Sequence, residues 1–425
     1  MKLKSVLFLA LLAFGAAGCL KDSCERTVSY IRVDPVYKTI DEIRNGTAVV
    51  EAPRALEDPG QIYYYDNKIF INERREGIHV IDNSDPEHPQ NISFIAIPGN
   101  EDLAIRNGIL YANTYIDLLA IDLSSYQVMG RAESVFPPLW EDLDNNRVAV
   151  YYKETPVTEV MDCETFSSLY KSGGVLWGAG PDVFIDFESA LDQSNSGGSS
   201  GGTGVGGSMA RFTIVDQFLY IVDDWQLHVF GLTNPYVPER VNQVDLGWGI
   251  ETIIPYEDKL FIGSNSGMFI FDNSNPAEPT LLSTFAHARA CDPVYVQGDL
   301  AYVTLRSGTP CEGFSNQLDV VDISNITAPQ LLITHPMDNP HGLGIKGNDL
   351  LLCEGDFGFK RFNAEDPMLI GQRLLDQDKS IHAFDVIPLP GNEKIALVIG
   401  EDGFYQYRFD DPKQLELISK IPVGR

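Results

Sequence analysis

The 425-residue chain carries 31 basic and 60 acidic side chains, and its net charge of -29 repels phosphate backbones and argues against nucleic acid as a partner. It is 44% hydrophobic, with 37 glycines and 25 prolines, which supports a large core cut by many turns and points to an all-β protein.

The first segment is a secretory signal. Lys2 and Lys4 precede an apolar run from Val6 to Ala17, and the small residues Ala16, Ala17 and Gly18 lead into Cys19. A run of about 12 residues is too short for the roughly 20 that a spanning helix needs, so 1–18 reads as a cleaved leader. The arrangement resembles the bacterial lipobox, with Ala16 where that family more often has leucine. The resemblance implies cleavage before Cys19, lipid on Cys19 and a protein held on the cell envelope; inner versus outer membrane is left open, with the outer, facing periplasm or surface, favoured. Residues 19–59 then read as anchor, tether and N-terminal extension, with a strand at 28–33 that caps or helps close the fold, and a weak helical stretch near 39–45.

From residue 60 the chain repeats itself. Seven segments pair an apolar strand with a turn: GIHVIDNSDP (77–86), LLAIDLSSY (118–126), LHVFGLTNP (227–235), MFIFDNSNP (268–276), LDVVDISNI (318–326), FKRFNAEDP (359–367) and YQYRFDDP (405–412). Asp, Asn and Ser at the turn bond their own backbone, the usual chemistry of a strand-ending turn. The steps from Asp82 to Asp122, Gly231 to Asp272 and Asp272 to Asp322 are 40, 41 and 50 residues, and that from Asp122 to Gly231 is 109. Residues 251–286 show four short strands in one unit, the size of a propeller blade. The expected fold is therefore a β-propeller of about seven four-stranded antiparallel blades, eight being possible if the long step hides a degenerate unit. GIHVID, LLAID, MFIFD and LDVVDIS resemble the LVIVD repeat of bacterial and archaeal cell-surface proteins, which implies propeller blades and brings no catalytic residue.

An insertion, 137–208, interrupts the repeats. It holds two expected strands, 147–154 and 158–162, a weak helical stretch near 187–193, and a Gly/Ser linker, 194–208, too poor in apolar groups to order itself. Besides Cys19 the cysteines are Cys24, Cys163, Cys291, Cys311 and Cys353, an odd number without a CxxC pair. Cys291 before one first strand and Cys311 in the following second-to-third-strand loop fall on one face of one blade, and a disulfide between them is expected.

No GxSxG, HExxH or phosphate-cradling loop is present, so an enzyme is the less favoured class. The favoured reading is a lipid-anchored binding or interaction module with a protein or glycan ligand of the envelope. The alternative is a metal-assisted hydrolase or lyase working at the channel mouth, an analogy of fold alone. No cofactor is expected, although a divalent metal remains compatible with the residues that register places at the starts of first strands: Glu101, Asp102, Arg211, Glu251, Asp292, His341 and His382. The remaining histidines, including His79 and His228, read as hydrogen-bonded surface or core residues.

Overall fold

The structure is a computed structural model, and it describes residues 25–45, 48–162, 184–186, 203–286, 293–306, 316–391 and 393–424. Two compact units are present, Met1–Tyr37 with Tyr151–Glu188, and Lys38–Val150 with Ser189–Arg425. In the smaller, Tyr30 Oη donates to Glu159 Oε1 at 2.6 Å and Ile31 pairs with Asp186.

The larger unit is built of β-sheets apart from short helical turns. Its repeats fold as antiparallel meanders spanning 59–96, 103–132, 212–245, 250–286, 294–336, 343–378 and 383–422. Each begins at the inside: the first strands of successive meanders touch one another, and the first strand of the last meander touches that of the first, so the set closes on itself as a β-propeller. An eighth sheet has the order Trp140–Asp142, Arg147–Asp162, Glu25–Thr39, Phe184–Asp186, which is not a meander of consecutive strands. Two sequence expectations change here. The strands expected at 147–154 and 158–162 are one strand, Arg147–Asp162, and 28–33 belongs to that eighth sheet rather than to a closing strand of the ring. The helix Ile40–Asn45 forms where expected. Glu42 accepts from the Thr39 N–H at 2.7 Å while Thr39 Oγ1 accepts from the Glu42 N–H at 3.2 Å, a reciprocal cap for a very short helix.

The repeated motif has a local cause at both ends of the third strand. Gly77, Gly267 and Gly403 open it at φ of 149°, 158° and 150°, and a β-carbon there would lie within 2.5 Å of the Ile95, Phe285 or Ile421 carbonyl oxygen. Only glycine fits that approach. At the other end Asp82, Asp122, Asp272 and Asp322 each accept the backbone N–H two residues on, from Ser84, Ser124, Ser274 and Ser324, which turns the chain; the serine side chain, first for Asp82 and Asp322, and this N–H, first for Asp122 and Asp272, hold each carboxyl below its ordinary pKa.

Neighbouring meanders are bonded through these same turns. Tyr111 Oη donates to the Pro235 carbonyl and Tyr220 Oη to that of Pro276, each at the third-to-fourth-strand turn of the next meander. Arg361, 1% exposed, reaches the Asp411 and Gln414 carbonyls of the seventh. The seventh closes on the first without sharing a strand. Asn83 and Gln406 exchange amide hydrogen bonds of 3.1 and 2.7 Å, and Gln406 and Ser419 donate to the Pro86 carbonyl. Beneath them Leu56, Ile62, Ile69 and Ile71 form one apolar cluster with Ile387, Leu397 and Phe404. Burying each such side chain contributes roughly 1.5–3 kcal/mol, so apolar burial as well as hydrogen bonding holds this junction.

Candidate functional site

In an antiparallel meander the start of the first strand and the second-to-third-strand loop lie at the same end. All such elements therefore share one face of the propeller. Six of the seven residues chosen by register are described, and each lies within two positions of a first-strand start: Glu101 and Asp102 before Leu103, Arg211 before Phe212, Glu251 second in Ile250–Tyr256, His341 before Leu343 and His382 before Ala383. Asp292 lies outside the described residues, as do Cys19, Cys24, Cys163 and the expected Cys291–Cys311 pair. Cys353 is a buried free thiol.

These side chains do not form one cluster. On the first to fourth meanders Arg211 donates to Asp224 Oδ1 at 2.8 Å and to the Ile250 carbonyl at 3.3 Å, while Arg75 stands 3.7 Å from Glu101. Burial works against the charge of Arg211, and Asp224, Glu101 and Glu251 outweigh it and hold its pKa up. On the fifth to seventh meanders Arg306 meets His341 Nδ1 at 2.7 Å, and Asn339 meets His341 Nε2 at 3.2 Å. Burial, then Arg306, then His382 push the His341 pKa well down, so that imidazole stays neutral. His382 Nδ1 lies 2.9 Å from Asp356 and 3.2 Å from Glu401, and the Phe384 ring packs against both histidines at 5.8 and 4.8 Å.

The described residues thus fall into two groups, one around Arg211 and one around His341 and His382. Among the described residues no three His, Cys, Asp or Glu side chains meet as ligands. In each group a guanidinium faces the titratable side chains: Arg211 the acids of one and Arg306 the imidazole of the other. Arg306 and Asn339 were invisible to register counting because loops carry them. Asp356 and Glu401 sit in second-to-third-strand loops at the same end of their blades.

The largest surprise lies in the channel. The Gly/Ser run was expected to stay unordered through 208, yet its last residues thread the propeller. Thr203 bridges Arg106, Gly204 donates to the Ile105 carbonyl at 2.9 Å, and Val205–Gly206 pairs with Tyr64 and Tyr63 of the first meander. Ser208 donates to Asp385 Oδ1 from Oγ at 3.1 Å and accepts the Leu343 N–H at 2.6 Å, and the Ala210 carbonyl accepts from Ile253 at 2.8 Å. Residues 206–210 are buried. Poverty in apolar groups did not prevent order, because hydrogen bonds to five meanders, four through the segment's backbone and one through the Ser208 hydroxyl, replace apolar side-chain burial. Glycine is needed where strand and segment nearly touch: a β-carbon at Gly207 would lie 1.8 Å from Asp385 Oδ2.

Two carboxyls end up dry in this channel. Burial pushes Asp385 well above the usual carboxylate range, with Asp102 adding to the effect. Asp102 accepts the N–H groups of Leu103, Arg211 and Phe212, and burial still holds its pKa up at about 7. The folded state keeps this proton where the unfolded chain, with a pKa near 4, has lost it. The stability it contributes is complete below about pH 4 and disappears as pH rises through about 7. Urea unfolding midpoints at about pH 4.5 and 7.5 should therefore differ less in Asp102→Asn than in the wild type. An unchanged difference would show that Asp102 does not titrate there.

The sequence model of the LVIVD repeat matches residues 253–286 and 288–334. No curated protein sequence matches the chain. Among solved structures, a computationally designed protein, Ika8, is similar with TM-score 0.50 and 9% identity, over 85% of this chain and 87% of that one. BamB from Moraxella catarrhalis aligns with TM-score 0.49 and 8% identity over 89% and 98% of the two chains. Hsv2 from Kluyveromyces lactis aligns with TM-score 0.48 and 10% identity over 86% and 100%.

Proposed function

On the premise that the chain is built from LVIVD repeats, we propose that it is a seven-bladed propeller, anchored to the cell envelope through lipid on Cys19, that binds a protein or glycan ligand on its strand-start face. One observation carries the reading: the channel is filled by Thr203–Ala210, so the face around its mouth, and not an open bore, is what the scaffold presents. That face holds fixed charged pairs together with the exposed rings of Trp225, Trp248 and Phe357, whereas the opposite face carries the stereotyped turns. A Cys291–Cys311 bridge pinning the loop of the fifth blade belongs to the same proposal, and non-reducing peptide mapping reads it.

The catalytic alternative has one supporting feature, His382, whose Nδ1 is oriented by Asp356 and Glu401 while its ring stays partly exposed. Orientation of one ring nitrogen by a carboxylate suits a general base. The described residues do not supply a metal site beside it, so no metal-dependent step is drawn.

The test uses photo-crosslinkers in intact cells, at Glu101 and Phe357 on the strand-start face and at Asp410 on the other. Adducts confined to the first two positions are expected, and adducts mainly at Asp410 would refute the face assignment. In the same cells Cys19→Ala should move the protein from the membrane to the soluble fraction. Unchanged fractionation would remove the anchor from the proposal.

A further inference from the structure

We propose that the loops over the third and fourth blades form a docking surface for a positively charged peptide segment of a partner protein, with Trp225 and Trp248 as its aromatic faces and Asp224 and Asp245 as its carboxylates. The proposal rests on the strand-start face being the ligand face, and narrows it to two blades and one chemistry.

The two indoles are presented by built loops. Trp225 is 55% and Trp248 58% exposed, the first in the second-to-third-strand loop of the third blade and the second in the connection to the fourth. Their backbones are tied together, since Leu246 N–H donates to the Trp225 carbonyl at 2.9 Å and Gly249 N–H to that of Asp224 at 2.8 Å. Gly247 and Gly249 bracket Trp248 at φ of 91° and 92°, a conformation other residues adopt only under strain. The Asn265 amide occupies the space that a β-carbon at Gly249 would need, 2.2 Å away. The Trp225 backbone N–H donates to Asp223 Oδ1 at 2.8 Å, and Asp223 Oδ2 holds His228 at 2.8 Å. An indole left in water forgoes the stabilisation of burial, and here two of the chain's four tryptophans are fixed that way in one loop layer.

Charge decides the occupant. Around the indoles stand Asp224, its side chain 58% exposed, and the exposed Asp245, with Glu101 and Glu251 close enough to support the charge of Arg211, which is itself 18% exposed and engaged by Asp224. Carboxylates outnumber guanidinium, and the chain as a whole carries -29. Aromatic faces in a negative field attract lysine and arginine through both the ring quadrupole and the carboxylates, with tryptophan the best ring for this. An anionic ligand is repelled. A neutral glycan would use the rings and gain nothing from the excess charge.

The probe is a fluorescein-labelled nonapeptide of alternating lysine and glycine, titrated with the full chain by anisotropy. Trp225→Ala and Trp248→Ala should each weaken binding roughly three- to tenfold. Asp245→Asn should weaken it less and flatten its dependence on salt between about 50 and about 300 mM. Asp410→Asn and Glu393→Gln, on the opposite face, should leave it unchanged. Equal affinity in the tryptophan variants, or equal loss in the opposite-face variants, overturns the proposal, because binding would then be a property of any polyanion. Tryptophan-dependent binding of an uncharged oligosaccharide with no binding of the peptide also overturns it, while leaving the strand-start face as the ligand face. Circular dichroism of each variant establishes that the exposed substitutions leave the fold intact.

Discussion

Gly207→Val is expected to destabilise the propeller by about 3 kcal/mol or more, measured as a shift of the urea midpoint at constant slope. The branched side chain has nowhere to go: its β-carbon would sit 1.8 Å from Asp385 Oδ2 and 2.6 Å from the carboxyl carbon, on a segment held by bonds from several blades. Either the segment leaves the channel, exposing the N–H and carbonyl groups it satisfied, or the first strand of the seventh blade must move away from its neighbours. Ser208→Ala, which only removes the hydroxyl between Asp385 and Leu343, should cost about 1–2 kcal/mol. A Gly207→Val protein that unfolds with wild-type midpoint would mean that the segment does not occupy the channel in solution.

Arg361→Met should cost about 3–5 kcal/mol, for a different reason. The guanidinium is 1% exposed, pairs with Asp349 at 2.8 Å through Nε and Nη2, and donates through Nη1 to the Asp411 and Gln414 carbonyls. Methionine fills much of the volume yet leaves Asp349, itself 6% exposed, with only Lys394 at 2.8 Å, and strands two carbonyls at the boundary of the sixth and seventh blades. Arg361→Lys should recover little, because an ammonium cannot present the planar fork that spans both blades. Full recovery by lysine would reduce the contact to simple charge pairing.

Repetition made the blades legible. Glycine before the third strand and aspartate after it recur because a close carbonyl and a two-residue turn recur, and both constraints act within a few residues of the motif. The strand-start positions could be counted for the same reason. Ionic partners could not be counted, because Arg306 with His341 and Arg211 with Asp224 pair across loops of unequal length. His79 and His228 are the hydrogen-bonded core residues expected, but their partners were not legible: each is almost fully buried against an acid at the end of the preceding strand, Glu73 or Asp223, at 2.8 Å. In the sixth blade Lys360 and Glu354 take the same two places. The pairing rule repeats while the residue types change, and a search for repeated letters misses it. The order of 203–208 was illegible for a deeper reason, since its partners lie in other blades and its own composition reads as linker.

That segment also sets an order of assembly. Its contacts run from Tyr63 in the first blade to Asp385 in the seventh, and Ser208 is separated from Asp385 by 177 residues of chain. A nascent polypeptide that has passed residue 210 holds the segment but none of the Leu343 or Asp385 groups that receive it, and no chain shorter than 385 residues can complete the seat. Closing so long a loop is entropically slow, and the gain comes only when it is finished. Full seating of the segment therefore waits for the first strand of the seventh blade, so the same eight residues that run along the axis couple the first blade to the last.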